Sequence, residues 1–432
     1  MPEEPATMIT ESADCAWESL SRREKVPCDR FRHAAVAYNG FVYVHGGRQD
    51  TVLGDFWRYS IALSRWEQLP SCQQAPDKLE EHSMVAHEGV LYVFGGEMDF
   101  GANRKNTPLW MYSIDTRRWC EFKAGKGEET RPVNRKGHSA VVYQSAMFVY
   151  GGYFDIEGAV EEFWVFYFDA QKWSQLSPHT RGVGPGPRHG HSCVTHNAAM
   201  FLFGGLKRMA EQNDFWKFDF WKHNWTIIKT SYGPPKSVGH GSVIYQDSLW
   251  IVGGGLPSRT PAHNLWKYHF ASRSWKKISR VKQIVDCARM YHCAVAVGSC
   301  STSGTGVSSL CREHLEVPSG DSSAEKLYSF LTSASSKVSP LSNSNSNAIE
   351  MKTFTERPAS PVLCSCSFSS SADEQRLLTS YENESFTLLE EEYPQTPFSC
   401  AGPAADEDVF LMIGGKPLSR QCEISICRIM PE

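Results

Sequence analysis

Six histidines occupy matched places along the chain: His33, His82, His138, His191, His240 and His292. The first five each lie thirteen residues before a Gly-Gly pair, at Gly46, Gly95, Gly151, Gly204 and Gly253. Imidazole is the commonest metal ligand and titrates near neutral pH, so a ring of six invites a metal reading. The spacing favours architecture instead, because a polar residue that recurs once per unit pins the same strand start by hydrogen bonds in every unit. His189 adds an H-x-H pair with His191, but no third ligand stands at a metal-binding spacing, and Cys364 with Cys366 is no better. Phosphate-loop, G-x-S-x-G and H-E-x-x-H patterns are absent, so the expectation is a non-enzymatic chain with no cofactor and no metal.

The arginines carry a second possible chemistry. Arg30, Arg135, Arg188 and Arg289 each stand three residues before a histidine, and Arg32 immediately before one. Arg48, Lys207, Arg208, Arg259 and Lys416 follow Gly-Gly pairs. Guanidinium forks match carboxylate geometry, which makes these positions candidates for holding an acidic or carboxylate-bearing peptide. The competing reading is that an arginine present in four units belongs to the unit, pairing with backbone or with a neighbour. Asp50, Glu80, Glu81, Glu97, Asp99 and Asp155 fall in the first three units, so the later three form the basic side. No Lys/Arg stripe with interleaved aromatics occurs, and nucleic acid is not the expected partner.

The elements that must position these residues are strands. Apolar runs such as "FVYVHGG", "LYVFGG", "MFVYGG", "MFLFGG" and "LWIVGG" recur about every 50 residues. Each unit then carries two tryptophans nine positions apart, as in Trp57 and Trp66, or Trp216 and Trp225, with an aromatic two after the first. Runs this short, rich in Val, Ile, Tyr, Phe and Trp and bounded by turn residues, predict four antiparallel strands per unit. Glycine pairs at a strand end predict positive φ or a close approach that a Cβ would block.

Gly-Gly, then Trp and an aromatic, then Trp at fixed spacing, resembles the kelch-repeat family of β-propellers. The resemblance implies an all-β, six-bladed kelch β-propeller closed by an N-terminal strand, whose function is to bind a peptide or protein. The family uses arginines near the repeat histidines to hold acidic segments. By the same resemblance, a substrate-recognition adaptor of a ubiquitin ligase with cullin-type partners is one expectation, and a scaffold in trafficking or transcription another. A kelch-type metal-dependent oxidase or isomerase is the alternative from a different class. With about 14 residues ahead of the first expected strand, neither a BTB nor an F-box region is expected in this sequence.

The sixth unit is interrupted. "HCAVAV" after Met290 and Tyr291 reads as its first strand, but the matching Gly-Gly arrives only at Gly414, after "DVFLMIGG". Removing residues 299–407 restores the spacing of thirteen from His292. No second tryptophan follows, whereas "WESL" at Trp17 precedes His33 by sixteen residues just as Trp66 precedes His82, so the N-terminal strand is expected to complete the last blade. The expected organisation is a tail over 1–13, propeller over 14–298, insert over 299–407, and the rest of blade six over 408–432. The insert holds 25 serines with 15 acidic and 6 basic residues, a composition that predicts disorder. Its readings are a passive loop, a tether phosphorylated at Ser339, Ser360 or Thr396, a docking peptide around Phe386–Phe398, or an acidic strap competing for the basic ring. The N-terminus shows no signal peptide and nowhere do 18 apolar residues run together, so the cytosol or nucleus is expected, with the 14 cysteines as free thiols and no membrane contact.

Overall fold

The computed structural model describes residues 15–19, 25–71, 74–98, 109–123, 130–176, 184–255, 264–278, 281–282, 288–297, 409–417, 424 and 426–431. Five four-stranded antiparallel sheets and one five-stranded sheet stand as six blades around an axis. Blade 1 runs Ala34–Tyr38, Phe41–His45, Phe56–Ser60 and Arg65–Leu69 from the axis outwards. Blades 2 to 5 repeat this order.

The constant spacing of thirteen is the register of the inner hairpin. Tyr38 pairs with Phe41 across the two-residue turn Asn39-Gly40, and Ala34 with His45, which sets His33 opposite Gly46. In blade 6, Val297 pairs with Val409 and Cys293 with Ile413, the same register with residues 298–408 in place of the turn. Both roots therefore sit on the face where the inner turns lie, opposite the longer loops. The segment itself, with its expected disorder and phosphorylation, lies outside the described residues, as does the whole of the tail over 1–13.

Closure follows the sequence expectation. Cys15–Ser19 pairs antiparallel with Ile426–Pro431, placing Trp17 against Ile429. A short fifth strand, Val281–Lys282, adds in parallel to the outer edge of Cys15–Ser19. Joining the two ends of the chain in one blade removes the open sheet edges that an unclosed array would present.

Glycine pairs are required because neighbouring blades cross there. A Cβ on Gly46 (φ +62) would sit 2.4 Å from the Leu79 carbonyl and 2.9 Å from His82 Cε1 of the next blade. One on Gly47 (φ +91) would meet His33 Cβ of its own blade at 2.7 Å. The nine-residue tryptophan spacing places the second tryptophan directly across from the aromatic that follows the first: Tyr59 and Trp66, Tyr112 and Trp119, Phe166 and Trp173, Phe218 and Trp225, Tyr268 and Trp275. Their ring centroids lie 5.0–5.2 Å apart in all five. Such pairs add to the area they bury, and they fill the wedge between blades.

The six histidines are buried at the blade junctions. Three reach back to a serine of the preceding blade: His138 to Ser83 (2.8 Å), His191 to Ser139 (2.9 Å) and His240 to Ser192 (2.8 Å). Blade 1 has Ala34 where these serines stand, and His82 instead bonds His45 Nδ1 at 3.2 Å. Replacing His45 with Phe, the type found at the matching Phe94 and Phe203, is expected to cost about 1 kcal/mol, the net value of one such bond. Adding Ala34→Ser to His45→Phe is expected to recover most of that loss, as read by urea denaturation midpoints.

Candidate recognition face

The loops after Gly-Gly and those entering each blade share one face, since strands alternate direction. At its centre, the residue before each histidine belongs to a closed ring of backbone hydrogen bonds. Arg32, Glu81, Gly137, Gly190, Gly239 and Tyr291 each donate to the carbonyl of the ring member before, at 2.6–3.1 Å, and Arg32 completes the circle on Tyr291. All six have φ between 56° and 65°. Glycine supplies this conformation freely in blades 3, 4 and 5, whereas Arg32, Glu81 and Tyr291 hold it at a steric cost, so that three side chains stand at the mouth.

A second circle surrounds the first. The residue two before each histidine bridges antiparallel to the one after Gly-Gly: Phe31 with Arg48, Glu80 with Glu97, Lys136 with Tyr153, His189 with Leu206, Val238 with Gly255, and Met290 with Lys416. The mouth holds a cavity of about 200 Å³ lined by the inner ring, the six histidines, His189 and Val238. One wall is charged and belongs to blades 1 to 3. The other, from Leu206 through Gly190, Val238 and Gly239 to Gly255, is uncharged and poor in side-chain bulk.

The charged wall neutralises itself. Arg48 grips Glu80 with Nε and a terminal nitrogen at 2.6–3.0 Å. Arg32 lies 2.9 Å from Glu81, 3.5 Å from Glu80, and 5.0 Å from the Tyr291 ring centroid. Lys136 bridges Glu97 (2.7 Å) and Asp155 (2.9 Å). Burial, then repulsion from Glu80 and Glu97, pushes the Glu81 carboxyl above its ordinary value, although Arg32 and Lys136 pull it down.

Three of the expected ligand-holding arginines require a correction. The side chains of Arg30, Arg135 and Arg188 are 0 % exposed, so none of them presents a donor to a ligand at the surface. Each donates to the first glycine of its own blade's pair, at Gly46, Gly151 and Gly204. Each also pairs at 2.6–2.8 Å with an acid two residues before the first tryptophan: Asp55, Glu162 and Asp214. The same acid receives the indole N–H of Trp57, Trp164 or Trp216. Burial raises the carboxyls of Asp55 and Asp214, but their arginines and indoles more than offset this and hold them below the ordinary range. Arg289, 9 % exposed, likewise donates to Gly414.

The signal for this role stands in the sequence. Blade 2 has Leu79 and Pro108 at the two positions, and blade 5 has Ser237 and Asn264. In these two blades the arginine and the acid are missing together, as expected if the pair is a unit of architecture, while blade 6 keeps Arg289 with Ser425 at the acid's position.

Among the described residues, the cations available to a ligand are therefore fewer. Lys207 is half-buried and donates to the Pro185 carbonyl at 3.0 Å, beside Gly186. Arg208 is exposed at the adjoining turn, and Lys416 is exposed with its ammonium 5.2 Å from the Phe31 ring. Lys207, Arg208 and Lys416 have no carboxylate within ion-pair distance among the described residues. Arg259 and Asp99 lie outside them. The histidine ring turns its Nε2 atoms sideways to serines in three junctions, and no three His, Cys, Asp or Glu side chains converge as a metal set among the described residues. Nor does any helix there have the length and hydropathy to cross a membrane.

A family model described as the KLHDC2/KLHL20/DRC7 Kelch-repeats domain matches residues 6–96 and 81–302. Kelch domain-containing protein 3 from Bos taurus is 32% identical over 136 residues, 31% of this chain and 35% of that protein. Leucine-zipper-like transcriptional regulator 1 from Homo sapiens is 30% identical over 289 residues, covering 61% of this chain and 33% of that one. Its Drosophila melanogaster homolog is 24% identical over 191 residues, 42% of this chain and 19% of its own length. The chain thus spans about a third or less of the length of these curated relatives.

Proposed function

This chain belongs to the kelch-repeat family of β-propellers, and from that premise we propose that it is a non-enzymatic protein-interaction module of the cytosol or nucleus. Its loop face takes an acidic or carboxylate-bearing segment of a partner protein. The observation that carries this reading is the division of the face: blades 1 to 3 neutralise their own charges, while Lys207, Arg208 and Lys416 keep theirs beside a wall of small residues. Such a wall lets a ligand backbone approach closely, and the exposed Arg208 and Lys416 with the half-buried Lys207 supply charge-assisted hydrogen bonds. The finer reading is a substrate-recognition adaptor of a ubiquitin ligase. A role in transcription is the second reading, favoured by the name of the relative called a transcriptional regulator.

The test is capture of partners from cell extract on the intact protein and on Lys207→Ala/Arg208→Ala/Lys416→Ala, identified by mass spectrometry. The variant is expected to keep its melting temperature within about 2 °C, since surface changes rarely exceed 0.5 kcal/mol, and to lose at least one partner tenfold or more. Cullin components among the captured proteins would decide for the ligase reading. Identical capture by both proteins would overturn the proposed site.

A further inference from the structure

The two most open of the large apolar side chains exposed among the described residues are Ile156 (85 %) and Met209 (83 %). Both crown short hairpins that follow Gly-Gly pairs in adjacent blades. Tyr153–Phe154 with Gly158–Ala159 carries Ile156, and Leu206–Lys207 with Ala210–Glu211 carries Met209. The hairpin bases touch through one residue: the His189 ring lies 5.1 Å from that of Tyr153, while its backbone bridges Leu206. Both tips therefore rise from one stretch of the mouth wall.

Neither tip serves the fold. An Ile or Met there leaves its apolar surface in water, and no blade packs on it. Arg208 (φ 47°) and Met209 (φ 63°) also occupy a two-residue turn in which both residues are left-handed. Asn-Gly adopts that turn cheaply, whereas long side chains crowd their own backbone. Strain and exposed apolar surface coincide at the tip that also carries the exposed guanidinium of Arg208.

Resting on the reading of this face as a peptide-recognition surface, we propose that Ile156 and Met209 form an apolar pincer for one side chain of the bound peptide. The occupant is an extended segment with an aliphatic or aromatic residue within two positions of an Asp or Glu. The apolar side chain enters between the tips, and the carboxylate meets Arg208 and Lys207. Charge complementarity places the carboxylate on the Met209 side, because Lys207 and Arg208 stand there with no carboxylate within ion-pair distance among the described residues, whereas the exposed Asp155 and Glu157 flank Ile156 and repel an acid from that tip. Apolar contact supplies affinity at a centre from which water is excluded, and the charge pair fixes register.

The test pans a phage-displayed random dodecapeptide library on the intact protein and titrates the winning synthetic peptide against Ile156→Ser/Met209→Ser and Lys207→Ala/Arg208→Ala. Each variant alters exposed or half-exposed positions and keeps the fold, which unchanged melting curves verify. Enrichment of an apolar residue within two positions of an acid, with at least tenfold weaker binding by both variants, is the expected result. Acidic winners that bind Ile156→Ser/Met209→Ser undiminished would overturn the pincer and leave the charge reading standing. Winners indifferent to both variants, or no winners, would overturn both. A concentration-dependent dimer that Ile156→Ser/Met209→Ser abolishes would assign the tips to a second copy of the chain and overturn the peptide.

Discussion

Acidification from pH 7 to 4.5 is expected to unfold this protein at 25 °C. Burial holds His33, His138 and His292 down to about 3, with His45 and His240 at about 4. It holds His82 and His191 well below the ordinary value of 6.5 as well. In the unfolded chain all seven titrate near 6.5, so below that pH the unfolded state binds protons that the folded state refuses. The contribution of these seven groups is then constant above pH 7 and falls as pH drops from 6.5 towards 4. Each group contributes about 1.4 kcal/mol per pH unit in that window, and the seven together on the order of 10 kcal/mol per unit. Domains hold only about 5–15 kcal/mol, so the transition completes within roughly two pH units. Asp55 and Asp214, held below the ordinary carboxylate range, lose their contribution only at still lower pH, which makes the histidines the first cause. Guanidinium midpoints measured from pH 8 to 4.5 check this; a flat profile down to pH 5 would contradict the buried neutral ring.

The second large effect concerns an arginine that invites a binding assay. Arg188→Ala leaves Asp214 half-buried without its cation, and the Gly204 carbonyl without its donor. Removing one partner of a buried pair costs about 3–5 kcal/mol. Loss of binding in this variant would therefore report a damaged blade. Blade 5 carries neutral residues at both positions, Ser237 and Asn264, with no hydrogen bond from the Ser237 hydroxyl among the described residues. The double exchange Arg188→Ser/Asp214→Asn is accordingly expected to cost well under the sum of its single changes, a coupling of at least about 1.5 kcal/mol in a double-mutant cycle. Additive costs would show that arginine and acid act independently.

These two effects mark where the sequence speaks directly. The spacing of thirteen is legible because a two-residue turn and a five-pair hairpin leave no freedom between His33 and Gly46, and the same register identifies blade 6 across residues 298–408. Trp17 announces closure because "WESL" stands sixteen residues before His33 just as "WEQL" at Trp66 stands before His82, although the other units space tryptophan and histidine differently. The role of Arg188 is legible only when two columns of the repeat are compared, since its acid lies 26 residues downstream. The hydrogen-bonded ring is less visible still. Arg32, Glu81 and Tyr291 take the conformation that Gly137, Gly190 and Gly239 advertise, because the ring imposes it on whatever residue stands there. The proposed pincer is harder to read, since Ile156 and Met209 share one repeat position, five after the first glycine of a pair, where blades 1, 5 and 6 have Thr51, Ser258 and Ser419.

In the proposed function, arginines that build the blades are distinct from the cations that meet the partner, and one paired measurement tests that distinction. Thermal unfolding and partner capture are read on the same preparations of the intact protein, Arg188→Ala and Lys207→Ala/Arg208→Ala. The predicted result is a melting temperature lowered by at least about 6 °C for Arg188→Ala, from its cost of 3 kcal/mol or more, and an unchanged one for the surface variant, which alone loses capture while fully folded. The contradicting result is an Arg188→Ala protein as stable as the parent that no longer captures the partner, beside a surface variant that still does.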